Sequence, residues 1–149
     1  MIEPSSLQKY SLFGGLLEEE ITRLLPYMET EKFDPGATII REGSPNDKIR
    51  FIIEGRVAIV KNGIILSEFS EGDEFGEMEV LDVMPSAATV TALATTKVIS
   101  ISNRCLREIH RDDPSSFSLM IMNLARDLSR RLRKMDEKLA VESPHMEWN

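Results

Sequence analysis

The residues that could do chemistry in this chain are concentrated in one acidic interval. Between Lys61 and Lys97 there is no Lys or Arg. The interval holds seven carboxylates: Glu68, Glu71, Asp73, Glu74, Glu77, Glu79 and Asp82. They surround the stretch FGEMEVLDVMPSAATV, which combines a glycine, a short apolar run and a proline. Carboxylates accept hydrogen bonds from hydroxyl groups and repel anions. The interval therefore disfavours an anionic ligand, and it could attract a cation.

The reactive side chains do not form a recognisable catalytic or metal-binding pattern. The spacing of the acids from 77 to 82 is not that of a calcium loop. The one cysteine, Cys105, excludes a multi-cysteine zinc or iron–sulfur site and is better explained as a small buried residue. His110 and His145 do not stand beside a plausible nucleophile. We expect no catalytic residue and no metal ligand.

Composition places these residues in a single globular domain. The chain has 149 residues, of which 42% are hydrophobic and 29% charged, so it can bury a substantial core. A net charge of −7 argues against nucleic-acid binding by the protein as a whole. No apolar run is long enough to cross a bilayer, and no signal peptide is visible. We expect a cytoplasmic protein with no membrane contact.

The order of the predicted elements is helices, strands, then helices. Residues 1–28 have helical apolar spacing, and residues 29–103 read as roughly eight short strands separated by turn signals. Asn62-Gly63 is the strongest of these hairpin signals. Residues 104–140 return to helical spacing, with Pro114 opening a long helix after Asp112 or Asp113, and residues 141–149 form a frayed tail. The predicted fold is α+β and mainly β. It is a jelly-roll-like, double-stranded β-roll with flanking N-terminal helices and a long C-terminal helix.

The long helix carries one narrow apolar stripe. Its members recur in steps of three and four: Phe117, Ile121, Leu124, Leu128, Leu132, Met135 and Leu139. The period is close to that of an eleven-residue repeat and fits a seam against a partner helix. We expect a homodimer. The alternative is that the helix lies along its own β-domain, and its first turns (117–124) are the part most suited to that packing.

A basic stretch lies on the same helix. It contains Arg130, Arg131, Arg133 and Lys134 in an otherwise acidic protein. The sequence predicts a solvated flank whose cations pair with Asp127, Asp136 and Glu137. Contact with a nucleic acid or with an acidic partner is the alternative.

Two motifs give the chain a resemblance to a known family. Phe75-Gly76-Glu77 followed by Pro85-x-x-Ala88-Thr89-Val90 resembles the phosphate-binding cassette of cyclic nucleotide-binding domains, whose pattern is F-G-E, a short apolar turn, then P-R-x-A-x-V. The segment EGSPNDKIRFIIEGRVAIV is similar to the strand pair of the same family. The resemblance covers about residues 12–139. Below, "cassette" means residues 75–90.

The cassette offers several ligand contacts on physical grounds. Gly76 allows close approach of the backbone, and residues 78–83 could form a helical turn whose first amides face an anion. The resemblance implies that Glu77 binds the ribose 2′-hydroxyl. The predicted ligand-binding residues are Gly76, Glu77, Met78, Glu79, Ser86 and Ala87.

One departure from the family pattern changes the expected ligand affinity. Ser86 stands where the family has the arginine that pairs with the cyclic phosphate. A neutral hydroxyl replaces a charge-assisted fork of donors, and Glu79 adds a like charge near the same place. We therefore expect weakened affinity for cAMP or cGMP, the only cofactors that the resemblance implies. In a first alternative, the cyclic phosphate binds through another cationic side chain, that of Arg41, Arg50 or Arg56. In a second, the ligand is a different molecule, such as a cation attracted by the carboxylates.

The functional prediction is a non-enzymatic regulatory or sensor domain. The alternatives are a functional cyclic nucleotide sensor using another cation and a ligand-free structural adaptor. A protein partner is compatible with either. Because only about ten residues follow the long helix, where related regulators carry a DNA-binding domain, we expect no DNA binding by this chain alone.

Overall fold

The computed structural model describes residues 2–142 of the chain. The predictions made for His145 and for most of the tail lie outside the described residues. The tail was predicted to begin at 141, but the long helix continues to Glu142.

Short helices form the N-terminal region. Helix α1 spans Pro4–Leu7 and α2 spans Glu18–Leu24, with single 3-10 turns at Ser11–Phe13 and Leu25–Tyr27. The Glu20 carboxylate accepts a hydrogen bond from the Leu17 N–H at 2.9 Å and so satisfies one of the free donors at the start of α2.

Strands occupy the middle of the chain as two four-stranded antiparallel sheets. Their bounds are β1 Glu29–Phe33, β2 Thr38–Ile40, β3 Lys48–Glu54, β4 Arg56–Lys61, β5 Ile64–Ser70, β6 Glu74–Phe75, β7 Thr89–Ala92 and β8 Thr96–Ser102. The strand orders are β1-β8-β3-β6 and β2-β7-β4-β5. The predicted mainly-β roll with flanking helices is confirmed. The Asn62-Gly63 turn joins β4 to β5 with φ of 53° and 73°, the left-handed conformation that a two-residue hairpin needs.

The protein has two apolar clusters. One lies inside the roll and contains Ile40, Ile52, Val57, Phe75, Val90 and Val98. The other lies between the first sheet and the helices, and it includes Phe13, Phe51, Ile99 and Leu124. One core therefore stabilises the roll itself, and the other holds the helices against it. Phe75, the first residue of the cassette, belongs to the core inside the roll.

Two helices close the fold. Helix α4 spans Asn103–Asp112, and its cap residue Ser102 accepts a hydrogen bond from the Cys105 N–H at 3.0 Å. Helix α5 spans Pro114–Glu142. The predicted cap at Asp113 is confirmed, since its carboxylate accepts from the Ser116 N–H at 3.2 Å.

The apolar stripe of α5 divides into two parts. Leu124 is buried in the domain's own core, and Phe117 and Ile121 pack against it. The alternative given for the first turns is therefore confirmed, and Leu124 is not available to a partner helix. Beyond Leu128, which is half-buried, the stripe is exposed at Leu132, Met135 and Leu139.

Candidate ligand site in the cassette

The cassette begins with a backbone turn that only glycine adopts easily. Gly76 has φ 84° and precedes helix α3, Glu77–Asp82, one residue earlier than predicted. A Cβ at Gly76 would lie 2.7 Å from both Asn46 Nδ2 and the Lys48 carbonyl oxygen. Asn46 Nδ2 donates to the Gly76 and Lys48 carbonyls at 3.0 and 2.9 Å. The close approach at Gly76 is therefore made by the chain's own side chain.

Glu77, the predicted ribose ligand, is buried and paired with a residue of α5. It is 3% exposed, and its Oε1 accepts from Arg131 Nη1 at 2.7 Å. Burial raises the pKa of Glu77, and the neighbouring Arg131 opposes that rise. One Glu77 oxygen is thus already occupied by a charge-assisted bond.

The Arg131 guanidinium makes two further contacts. Its Nη2 donates to the Glu74 carbonyl at 2.5 Å, and its carbon lies 4.4 Å from the centre of the Phe69 ring. One side chain of α5 therefore contacts β5, β6 and α3. The prediction that Arg131 lies on a solvated flank was wrong, although the pairing predicted for its neighbour Arg130 with Asp127 is present at 3.8 Å. Arg131 and Glu77 are 54 residues apart, so no local spacing rule could have joined them.

Glu74 is a buried acid that joins the same elements. It is 1% exposed, and its pKa is raised to about 9, chiefly by burial, then by a hydrogen bond to the Asp127 carboxyl and by that group's charge. At neutral pH Glu74 is therefore protonated and donates to Asp127. Asp127 also accepts from Ser11 Oγ at 2.7 Å. Sequence reasoning treated Glu74 as one of seven similar acids and missed this pair.

Ser86 is committed to the backbone around it. It is 6% exposed, and its Oγ donates to the Ala88 carbonyl at 2.7 Å. Its N–H donates to the Ser44 carbonyl at 2.9 Å, and its carbonyl accepts from the Gly43 N–H at 2.8 Å. The Ser86 hydroxyl therefore holds the loop in shape and already has an acceptor.

A lysine contacts the second half of the cassette. Lys61 Nζ donates to the Ala87 carbonyl at 3.0 Å and lies 3.6 Å from Glu42 Oε1. Sequence reasoning missed it because Lys61 marked the edge of the acidic interval and was counted outside it.

The three arginines considered from the sequence lie elsewhere. Arg50 is nearly buried and bonds the Glu31 carboxylate at 3.0 Å, and Arg56 lies 3.7 Å from the Glu68 carboxylate. Arg41 is exposed just after β2.

The remaining acids of the interval serve local structure, and two predicted ligand residues point outward. Glu71 accepts from the Tyr10 hydroxyl at 2.6 Å, and the carboxylates of Asp73 and Asp82 accept from nearby backbone N–H groups. Met78 is exposed on α3, and Glu79 lines an outer groove beside the loop before β3. The carboxylates that are close together in the sequence therefore mostly bind different partners in the structure.

Within residues 2–142 no group of three or more Asp, Glu, His or Cys side chains is arranged to hold a metal ion. The helices in this range include none with the length and apolarity needed to cross a bilayer.

Comparison with known proteins decides the family. The profile of the cyclic nucleotide-binding domain matches residues 30–113. The chain belongs to this family. The matched residues include the whole cassette, and the family is one of regulatory binding domains.

Individual relatives agree with this assignment. The chain is 28% identical over 139 residues to a CRP-like cAMP-activated global transcriptional regulator of Mycobacterium tuberculosis, covering 90% of this chain and 60% of the relative. It is 30% identical over 106 residues to a cAMP-dependent protein kinase regulatory subunit of Dictyostelium discoideum, covering 66% of this chain and 32% of the relative. The chain thus spans between a third and three fifths of these proteins.

A solved structure of a cyclic nucleotide-binding domain from Methylobacillus flagellatus has the same fold. Its TM-score is 0.84 at 24% identity, covering 99% of this chain and 84% of that one.

Proposed function

We propose that this chain is a non-enzymatic regulatory domain whose cassette has weakened affinity for cAMP or cGMP and communicates with α5. Both curated relatives described above carry cAMP in their names, which supports a ligand of this class. The cytoplasmic location remains a prediction.

The observation that carries the weakened affinity is the bonding of Ser86. Its hydroxyl is used by the Ala88 carbonyl, so the position that resembles the family's phosphate-binding arginine supplies no free donor from its side chain. A hydrogen bond to a charged group contributes about 1.5–3 kcal/mol. Its loss corresponds to roughly ten- to a hundredfold weaker binding.

Communication with α5 is supported by the Glu77–Arg131 ion pair. A ribose hydroxyl that binds Glu77 has to share a carboxylate that Arg131 already contacts at 2.7 Å. Ligand binding would therefore alter the bonding of Arg131 and, through it, the position of the second half of α5. This differential contact is what a ligand-driven change requires.

Calorimetry tests the affinity directly. We expect dissociation constants for cAMP and cGMP well above the micromolar range in the native chain, and tighter binding in Ser86→Arg. Ser118→Arg adds the same charge at an exposed position of α5 and serves as the matched control, with unchanged affinity. Micromolar binding by the native chain, or no gain in Ser86→Arg, would contradict the proposal.

A structural adaptor without a ligand is the alternative class. Any bound molecule raises the melting temperature by mass action. Stabilisation by a cyclic nucleotide at millimolar concentration is the result we expect, and an absence of stabilisation by nucleotides, metals and small metabolites would favour the adaptor.

We also propose that the exposed part of the α5 stripe pairs two copies of the chain. Leu132, Met135 and Leu139 are 61%, 61% and 59% exposed and continue the line of half-buried Leu128. A row of large apolar side chains on one helix flank is typical of a seam against another helix.

A further inference from the structure

Lys61 lies at the end of β4, beside the cassette. It follows Val57 and Ile59 at two-residue spacing on β4, and both of these contact the inner core. Alternate residues of a strand point to the same face. Pairing of β4 with β7 is regular from Val57↔Ala92 to Val60↔Thr89, and the register shift of β4 against β5 at Ile59 and Val60 places the extra residue, Leu66, on β5. The alternation along β4 therefore predicts that Lys61 lies on the same face as Val57 and Ile59.

The contacts of Lys61 leave donors free for a ligand. An ammonium group has three N–H bonds. One is given to the Ala87 carbonyl at 3.0 Å, next to Ser86 in the chain. The oxygen of Glu42 lies at 3.6 Å, too far for a hydrogen bond. The side chain is 43% exposed, so a ligand in solution can reach it.

Lys61 and Arg131 hold opposite ends of the cassette. Among the ion pairs and side-chain hydrogen bonds of residues 2–142, these are the two cations that contact residues 75–90, Arg131 at Glu77 and Lys61 at Ala87. Arg131 already pairs with Glu77 at 2.7 Å, whereas within residues 2–142 Lys61 donates to one carbonyl and lies 3.6 Å from the Glu42 carboxylate. Lys61 is therefore the cation with capacity for an anion.

We propose that Lys61 recognises the charge of the ligand in this site, standing on β4 opposite the loop where Ser86 replaces an arginine. The proposal rests on the proposed function and deepens it: the ligand class is a small organic anion that carries its charge as a phosphodiester, as a cyclic nucleotide does. A lysine supplies a point charge without the planar fork of arginine, and Glu42 competes for it. Both effects keep binding weak without abolishing it.

The test compares charged and uncharged ligands by NMR titration of the amides of residues 86–89. We expect cAMP to bind the native chain about tenfold more tightly than adenosine, the value of one charge-assisted hydrogen bond. Lys61→Met should abolish the difference, and Lys61→Arg should retain it. Arg56→Met removes a cation from the opposite face of the same strand and should leave the difference unchanged. Melting curves verify that each variant is folded.

A variant that is expected to bind cAMP more tightly provides an independent test. Glu42→Gln removes the competing carboxylate, so it should tighten cAMP binding severalfold while leaving adenosine unaffected. Inorganic phosphate should bind more weakly than cAMP, because it lacks the nucleoside. Equal affinity for phosphate and cAMP would overturn the assignment of the ligand class.

Other outcomes separate this inference from the proposed function. Equal binding of cAMP and adenosine to the native chain, or a charge preference that survives Lys61→Met, would overturn the role of Lys61 and leave the Ser86→Arg result to judge the weakened pocket. Failure of Ser86→Arg to improve affinity, together with loss of the preference in Lys61→Met, would overturn the stated cause of weak binding and uphold Lys61.

Discussion

At the scale of single residues, Arg131 joins three elements through its contacts with Glu77, Glu74 and the Phe69 ring. Glu77 is buried and accepts a charge-assisted hydrogen bond from this guanidinium at 2.7 Å, so removing the partner leaves a buried carboxyl group without its charged donor. We expect Arg131→Gln to lower the free energy of unfolding by about 3 kcal/mol, measured by urea denaturation. Arg131→Lys should recover only part of this loss, because an ammonium cannot serve Glu77, Glu74 and the Phe69 ring together.

The adjacent arginine provides the control. Arg130 is largely exposed and lies 3.8 Å from Asp127, so Arg130→Gln should change stability by less than about 0.5 kcal/mol. Glu77→Gln in the Arg131→Gln background should restore stability. If it does not, the Glu77–Arg131 pair is not the source of the loss.

Gly76 allows backbone strain and close packing to be measured separately. Gly76→Ala places a Cβ 2.7 Å from Asn46 and Lys48 in a residue with φ 84°, whereas Gly36 has φ 85° and nothing within 4 Å of its Cβ position. Gly36→Ala should cost about 1 kcal/mol from the left-handed conformation alone. Gly76→Ala should cost clearly more, and equal losses in denaturant titrations would show that the contact with Asn46 is unimportant.

Single residues also show what the sequence could reveal. The sequence predicts that Ser86 stands at the arginine position of the family pattern, because Pro85 and Ala88 match that pattern on either side of it. That its hydroxyl bonds Ala88 is a matter of rotamer and local geometry, which the pattern does not contain. Continuing the alternation of Val57 and Ile59 to the end of β4 could have identified Lys61 as a cation close to the cassette.

At the scale of elements, a hydrogen bond from the Glu74 carboxyl group to Asp127 joins β6 to α5. The charged neighbours of the Glu74 carboxyl group are Asp127 and Arg131 of α5 and Glu77 of α3. Since the pKa of Glu74 rises from 4.5 to about 9 on folding, the folded chain binds more protons than the unfolded chain between these values. Its contribution to stability is complete below about pH 4.5 and is lost as the pH rises toward 9.

The expected result is a free energy of unfolding that falls between pH 6 and 9. The slope from this one group approaches about 1.4 kcal/mol per pH unit. Glu74→Gln keeps a donor to Asp127 without a titrating proton, so it should flatten the profile and stabilise the chain at pH 8. Glu71→Gln, at an exposed acid three residues earlier, should leave the slope intact. A slope unchanged in Glu74→Gln would assign the titration to another group.

The elements themselves were largely predictable, and their docking was not. Asn62-Gly63 specifies its hairpin within two residues, and Asp113-Pro114 marks the start of α5 equally locally. The burial of Asn123, whose side chain donates to the Leu12 and Gly14 carbonyls, depends on elements more than a hundred residues away. A periodic stripe identifies an apolar face of α5, but it does not say which turns cover the domain.

At the scale of the whole molecule, the exposed stripe predicts a concentration-dependent dimer. Leu132→Lys should convert it to a monomer in sedimentation experiments, since a charge in the seam is strongly unfavourable. Met122→Lys, at a similarly exposed residue on another flank of α5, should leave the dimer intact. A native chain that is monomeric at micromolar concentration would refute the seam.

The contacts of Arg131 with three different elements have a further consequence for the evolution and engineering of this domain. Under the proposed function, a ligand that moves α5 has to disturb the contacts of Arg131, which also stabilise the fold around the cassette. A variant selected for a larger response to nucleotide should therefore melt at a lower temperature, and one selected for heat resistance should respond less.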